Sequence, residues 1–236
     1  MRDLFYAAMD NLSFLLTCLA IFAALVLLAR FSELLLSKER RRLSGARSVS
    51  FVAMFGAIAA VLMLFEIPLF FAPPFYEIDL SEIPVLICGF YLGPTAGVCC
   101  ELLKILLKLL MKGTSTAFVG DFANFFVGCA LVLPATILYH IRKSKKSAVV
   151  GLCVGTAVMT FFGSAFNAIY LLPKFSQLYG LPLDAIIQMG TEVNSAITSV
   201  STLVLFAVVP FNILKGILVS AITLILYKRV ERLFRV

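Results

Sequence analysis

Seven stretches of apolar sequence, most of them about as long as a membrane-crossing helix, follow one another along 236 residues, and that succession constrains the fold more than any single motif. Leu12 to Ala29 is the first, Val49 to Phe71 the second, and Ile83 to Leu92 a short third closed by Gly93 and Pro94. Thr95 to Met111, Phe118 to Tyr139, Ala148 to Leu172 and Thr202 to Tyr227 complete the series. With 61% hydrophobic and 14% charged residues, the chain is too apolar for a soluble domain and reads as an all-α polytopic membrane protein. Pro84, Gly89, Gly93 and Pro94 make the third stretch a broken or tilted helix, which must be covered by neighbouring protein. The first stretch is followed by the basic run Lys38 to Arg42, which reads as a stop-transfer flank and favours a retained anchor over a cleaved signal peptide.

The net charge of +7 raises nucleic acid as a partner, but its distribution points to the bilayer. Lys38, Arg40, Arg41, Arg42 and Arg47 precede the second span, Arg142, Lys143, Lys145 and Lys146 separate the fifth from the sixth, and Lys228, Arg229, Arg232 and Arg235 end the chain. With seven spans these clusters share one side, which the positive-inside rule makes cytoplasmic, with the N-terminus outside. The six cysteines lie in apolar segments without Cys-x-x-Cys spacing, so neither a metal site nor a disulfide framework is implied.

Several polar residues stand out against this background. Lys215 lies about halfway along the last span, where an ammonium costs at least about 2.5 kcal/mol unless a partner offsets it. Asn212, three residues earlier, shares its helical face, and the pair reads as functional. Asn124 and Asn167, each near the end of a span, read on their own as amides bonding a neighbouring helix. Glu101, Lys104 and Lys108 line one face of the fourth span and read as a packing charge stripe. The segment from Pro73 to Pro84, with Phe75, Tyr76, Ile78 and Leu80 as apolar cover, fits a capped loop, Ser81 capping the helix that follows, and equally fits a lid over an outward cavity.

Taken in order, Phe75 to Pro84, Leu92 to Gly97, Glu101 with Lys104, Ala123 to Phe125, Phe166-Asn167 with Leu171 to Pro173, and Pro210 to Gly216 resemble the riboflavin-binding S component of energy-coupling factor (ECF) vitamin transporters. The resemblance covers roughly Arg47 to Arg235. It implies a compact six-helix bundle over residues 47–236, preceded by an extra transmembrane helix and basic linker over residues 1–46. It also implies capture of riboflavin as substrate, with no cofactor, and association with a transmembrane coupling subunit and two cytoplasmic ATPases in a bacterial cell membrane. By the same resemblance Asn167, Asn212 and Lys215 match ligand-binding positions, Glu77, Ile78 and Asp79 a gating lid, and Asn124 a pocket wall. Ala53 and Ala57 match the small-residue pattern that docks on the coupling subunit. The chain departs from the pattern in its first span, in Ile105 where the family often has asparagine, and in an extended stretch from Gly180 to Ser201.

The flavin suits these residues on chemical grounds. One edge of an isoalloxazine offers carbonyl, N–H and carbonyl in sequence, which asparagine amides match and a lysine can reinforce. No basic cluster or glycine-rich phosphate cradle occupies the outer segments, which favours the neutral vitamin over its phosphorylated forms. An enzyme would need a catalytic cluster, yet the only histidine, His140, lies by a basic loop without a carboxylate pair. The chain has no Gly-x-x-x-x-Gly-Lys-Ser/Thr loop, so ATP hydrolysis belongs elsewhere. A stand-alone carrier lacks support from internal repeats, and an S component for another vitamin or a flavin analogue is the nearest alternative.

Overall fold

The computed structural model describes residues 12–36, 45–73, 76–114, 116, 118–180 and 182–234. Helices α1 (Leu12–Leu36) and α2 (Ala46–Leu62) come first. Two-residue strands β1 (Ile67–Pro68) and β2 (Glu77–Ile78) then pair antiparallel, with Ile67 opposite Ile78. Helices α3 (Glu82–Leu92), α4 (Pro94–Lys112) and α5 (Val119–Arg142) follow. Helix α6 (Lys145–Phe166) passes through a π turn (Asn167–Leu171) into α7 (Leu172–Tyr179). After α8 (Leu183–Val193), the short α9 (Val200–Leu203) and a second π turn (Val204–Val208) lead into α10 (Val209–Phe234).

Three continuous helical runs among the described residues, Val119–Arg142, Lys145–Ser176 and Val200–Val230, are long and apolar enough to cross a bilayer. Helix α3 is not: at about 1.5 Å per residue its 11 residues fall far short of a hydrocarbon core about 30 Å thick. It is instead the centre of the bundle, packed on α2, α4, α5 and α10, with residues 82–90 all buried. The short third stretch is thus covered by protein, as its glycines and prolines require. Its Val85, Leu86 and Phe90 meet Leu131, Leu152 and Tyr227 in the largest core cluster.

The second span ends earlier than its hydropathy suggests. The apolar run to Phe71 leaves the helix at Leu62, and Pro68, which has no N–H to donate and disfavours helical geometry at Ile67, bars it from resuming there. Those residues become a strand and turns at the end of the bundle. Conversely, the stretch from Gly180 to Ser201 is not a loop but holds α8, which packs with the β1–β2 connection and the start of α9 in a separate apolar cluster around Tyr76, Ile186, Ile197 and Leu203. This cluster caps one end.

Helices α5 and α6 approach most closely through glycine. A Cβ on Gly151 would fall 2.6 Å from the Ala135 carbonyl oxygen, and one on Gly155 2.5 Å from that of Leu131, so both positions exclude any larger residue. Helix α1 lies against α4 and α5, with Ala29 fully buried and Phe22 and Phe125 ring centroids 6.0 Å apart. Its Glu33 Oε1 accepts the Thr95 N–H at 2.9 Å, placing a carboxylate on the otherwise open start of α4, next to Gly93 in a positive-φ conformation (126°). The basic run Lys38 to Arg42 and the loop residues Pro74 and Phe75 lie outside the described residues.

Arg47, Arg142, Lys145 and Lys228 gather at the end of the bundle where α2 begins, α5 gives way to α6, and α10 runs out. The capping cluster sits at the other end.

Candidate functional site

Under that cap lies a cavity of about 860 Å³, within the size range of small-molecule sites. Its wall is drawn from almost every element at this end. Helix α4 contributes Lys108 and Lys112, α5 Asp121 and Asn124, the first π turn Asn167, α10 Phe211, Asn212 and Lys215, β2 and its approach Tyr76 and Glu77, and α8 Ile186 and Met189. No residue of α1 reaches it among those described.

The two buried asparagines are prepared in the same way. Asn167 Nδ2 donates to the Gly163 carbonyl at 3.1 Å, and Asn212 Nδ2 donates to the Val208 carbonyl at 3.1 Å, each bonding one turn back beside a π turn. The i→i+5 widening of a helix re-aims side chains and recurs at functional sites. The amide oxygens are then left to other partners. Asn167 Oδ1 accepts the Tyr76 hydroxyl at 2.8 Å, whereas Asn212 Oδ1 takes no hydrogen bond among the described residues. Gly163 lets the two helices meet here, since a Cβ on it would lie 3.2 Å from Asn212 Nδ2.

Lys215 has its partners inside the chain. Its Nζ lies 2.9 Å from Asp79 Oδ2 and 3.0 Å from Glu82 Oε1. Glu82 Oε1 also lies 3.4 Å from Lys104 Nζ, which is 2.5 Å from Glu101 Oε1. The expected Glu101–Lys104 pair therefore exists, as one end of a buried chain of charges that reaches the cavity at Lys215. Lys108 leaves that stripe and pairs with Asp121 of α5 at 2.5 Å, and Lys112 pairs with Glu66. Asp79, ahead of α3, also accepts the Ser81 N–H at 2.9 Å in a local turn, while Ser81, expected to cap the helix, makes no capping bond with its side chain. Burial pushes the Asp79 carboxyl up, but the Lys215 and Lys104 ammoniums and the Ser81 side chain outweigh it and hold it at about 2. Exposed Glu77 is raised by partial burial and by the neighbouring Glu66 carboxylate, against the pull of Lys112.

Of the residues expected from sequence, Asn124, Asn167, Asn212, Lys215 and Glu77 share the cavity wall. Ile78 and Asp79 do not line it; both are buried behind it, Ile78 as a packing residue and Asp79 as the partner of Lys215. Ala53 and Ala57 lie elsewhere, on an exposed face of α2 with Met54, Ile58 and Val61. Sequence reasoning did not single out Glu82 as a Lys215 partner, nor Tyr76 as the residue that bonds Asn167. It also missed α8, whose apolar face pattern in Ile186, Ile187 and Met189 was available to be read. Among the described residues no group of histidine, cysteine or carboxylate side chains is arranged to hold a metal.

Relatives of known class share this architecture. Residues 47–227 match the family described as "ECF transporter, substrate-specific component". The chain is 33% identical over 184 residues to the riboflavin transporter RibU of Staphylococcus aureus, covering 78% of this chain and 90% of that one. It is 31% identical over 181 residues to the riboflavin transporter FmnP of Bacillus subtilis, covering 76% and 90%. A solved structure described as the S component of a bacterial ECF transporter superimposes with a TM-score of 0.63 at 34% identity, covering 80% of this chain and 98% of that one. A polytopic membrane bundle with a capped polar cavity, matched over most of its length by such relatives, belongs to the family of substrate-specific components of ECF transporters.

Proposed function

We propose that this chain captures riboflavin from outside the cell and holds it in the cavity beneath the cap, for uptake driven by separate subunits. The observation that carries the reading is the convergence of Asn124, Asn167, Asn212 and Lys215 on one cavity of about 860 Å³ walled also by Tyr76 and Phe211. Amides supply paired donors and acceptors for the polar edge of a flavin, while the aromatic rings offer its faces a stacking surface. Three cavity lysines are already matched by carboxylates, Lys108 by Asp121, Lys112 by Glu66 and Lys215 by Asp79 and Glu82, which favours a neutral ligand. Relatives named as riboflavin transporters support the same substrate.

The cavity opens outward in this reading because the opposite end carries the basic residues that the positive-inside rule assigns to the cytoplasm. The C-terminus is then cytoplasmic, and α1 with its linker, residues 1–46, is an addition to the six-helix transport body of residues 47–236. The segment from Tyr76 to Ser81, with Glu77, Ile78 and Asp79 at its centre, serves as the lid. The exposed α2 face around Ala53 and Ala57 is the surface for a transmembrane coupling subunit, since small residues four apart let helices approach closely. Two cytoplasmic ATPases complete the assembly, and the chain itself performs no chemistry on its substrate.

Purifying the protein from flavin-replete cells and titrating stripped protein with riboflavin tests the substrate. A co-purified yellow chromophore and saturable quenching of flavin fluorescence are expected. Absence of saturable quenching at micromolar protein sinks the assignment.

A further inference from the structure

Behind the cavity, three carboxylates and two ammonium groups form one buried cluster. Asp79, Glu82 and Glu101 face Lys104 and Lys215, and all five side chains are at most 7% exposed. Ionised throughout, the cluster holds three negative charges against two positive ones. Lys108–Asp121 and Lys112–Glu66 are separate one-to-one pairs and lend it nothing. A charge left unmatched away from water is costly, and folds avoid it by neutralising the group.

The geometry singles out which acid is unmatched. Asp79 accepts the Ser81 N–H through Oδ1 and faces Lys215 through Oδ2. Glu82 Oε1 faces both ammoniums, and its Oε2 accepts the Ser81 hydroxyl at 3.4 Å. Glu101 is fully buried, and although Lys104 Nζ is 2.5 Å away, neither of its carboxyl oxygens has a well-aligned hydrogen-bond partner among the described residues. The same Oε1 rests on Gly128 of α5, where a Cβ would overlap it. The titratable groups acting on it are Glu82 from α3, Lys215 from α10, Cys129 from α5 and, on its own helix, Cys100 and Lys104.

We propose that Glu101 is a proton-binding site, held as the neutral acid so that Asp79 and Glu82 balance Lys104 and Lys215. Its proton sets what Lys215 is free to do. When a neutral ligand draws Lys215 off Asp79 and Glu82, a protonated Glu101 leaves one negative charge in excess; an ionised Glu101 leaves two. The site thereby makes Lys215 available to a ligand at a lower electrostatic cost. The inference rests on charge and geometry alone, so its failure leaves the riboflavin reading standing.

Infrared spectroscopy of the full chain at neutral pH, in an ester-free maltoside detergent, tests it. A carboxylic-acid C=O band above the amide I region is expected, shifting in deuterium oxide. It is lost in Glu101→Gln and retained in Glu77→Gln, which alters an exposed carboxylate. Glu82→Gln removes one acid from the cluster, so Glu101 ionises and the band disappears although Glu101 is still present. No such band in the wild-type protein overturns the proposal. So does a band at full intensity in Glu101→Gln or, where that variant does not fold, in Glu82→Gln.

Discussion

Lys215 of α10 and Asp79 of the connection into α3 meet at 2.9 Å, 136 positions apart in sequence, and this contact ties the cavity wall to the segment that leads into α3. The cost of an ammonium at that depth is offset by carboxylates of the chain itself. Removing Lys215 therefore does more than remove a ligand contact: it strands Asp79, and leaves Glu82 with Lys104 alone. Lys215→Met is expected to lower stability by about 3–5 kcal/mol, the cost of breaking a buried pair from one side. Asp79→Asn combined with Lys215→Met restores a part of that loss. Thermal unfolding of both single variants and the double variant in detergent measures the coupling, and simple additivity refutes the pairing.

Asn212 gives the cleaner test of ligand contact, because its Oδ1 is uncommitted while its Nδ2 is anchored to Val208. Asn212→Leu is expected to weaken riboflavin binding at least tenfold, equivalent to about 1.4 kcal/mol, while folding to normal yield. Gly163→Ala probes the same point from α6, since the added Cβ at 3.2 Å from Nδ2 must displace the amide. A several-fold weaker affinity by fluorescence quenching is the expected result, and an unchanged affinity in both variants removes Asn212 from the site.

How far the site was legible in sequence depends on the range of the interaction. Lys215 and Asn212 were readable because a charge and an amide on one face of an apolar helix have few places to go, and the Glu101–Lys104 pair because helix geometry brings residues three apart together. The Asp79–Lys215 and Tyr76–Asn167 contacts join residues 136 and 91 positions apart, and no local pattern encodes which carboxylate or hydroxyl the fold will deliver. Hydropathy also misplaced the end of α2, since Phe65 to Phe71 are as apolar as a span. They lie beyond the end of the helix at Leu62 and cap the bundle instead, and Phe65 and Phe70 remain exposed.

The Tyr76 hydroxyl joins the segment ahead of α3 to Asn167 of the first π turn. Tyr76→Phe keeps the ring, which lies 5.4 Å from that of Phe211, and deletes the bond to Asn167 Oδ1. A neutral buried hydrogen bond contributes about 1 kcal/mol, so riboflavin is expected to dissociate roughly fivefold faster. Stopped-flow recovery of flavin fluorescence on dilution reads the rate. An unchanged dissociation rate shows that the lid does not open by breaking this bond.

The Asp79 carboxyl, held at about 2 against an ordinary value of 3.8, fixes the sign of an acid effect. A carboxyl depressed by folding stabilises the protein above its unfolded value and loses that contribution as pH falls toward 2. The Asp79 contribution is therefore constant from pH 5 to 8, within about the precision of a binding measurement, and it declines only below about pH 4. Asp79→Asn flattens this acid limb in a thermal-unfolding profile. A wild-type limb identical to that of the variant contradicts the ionised pairing with Lys215.

Helix α1 and the cavity are structurally separate, yet α1 is not a passive tether. Glu33 caps α4 at Thr95, and α4 carries Lys104 and Lys108 into the interior, so α1 braces the element that bears the buried charges. Two outcomes follow from that division. A chain starting at residue 45 is expected to bind riboflavin within about threefold of the full chain's affinity, because no described residue of α1 lines the cavity. Its thermal stability should fall, since Ala29 and Phe22 no longer cover α4 and α5 and the start of α4 loses its cap. Glu33→Ala removes the cap and should cost about 1 kcal/mol in the full-length protein. Full loss of binding on truncation makes α1 part of the binding body, and an unchanged melting temperature makes its contacts with α4 and α5 energetically silent.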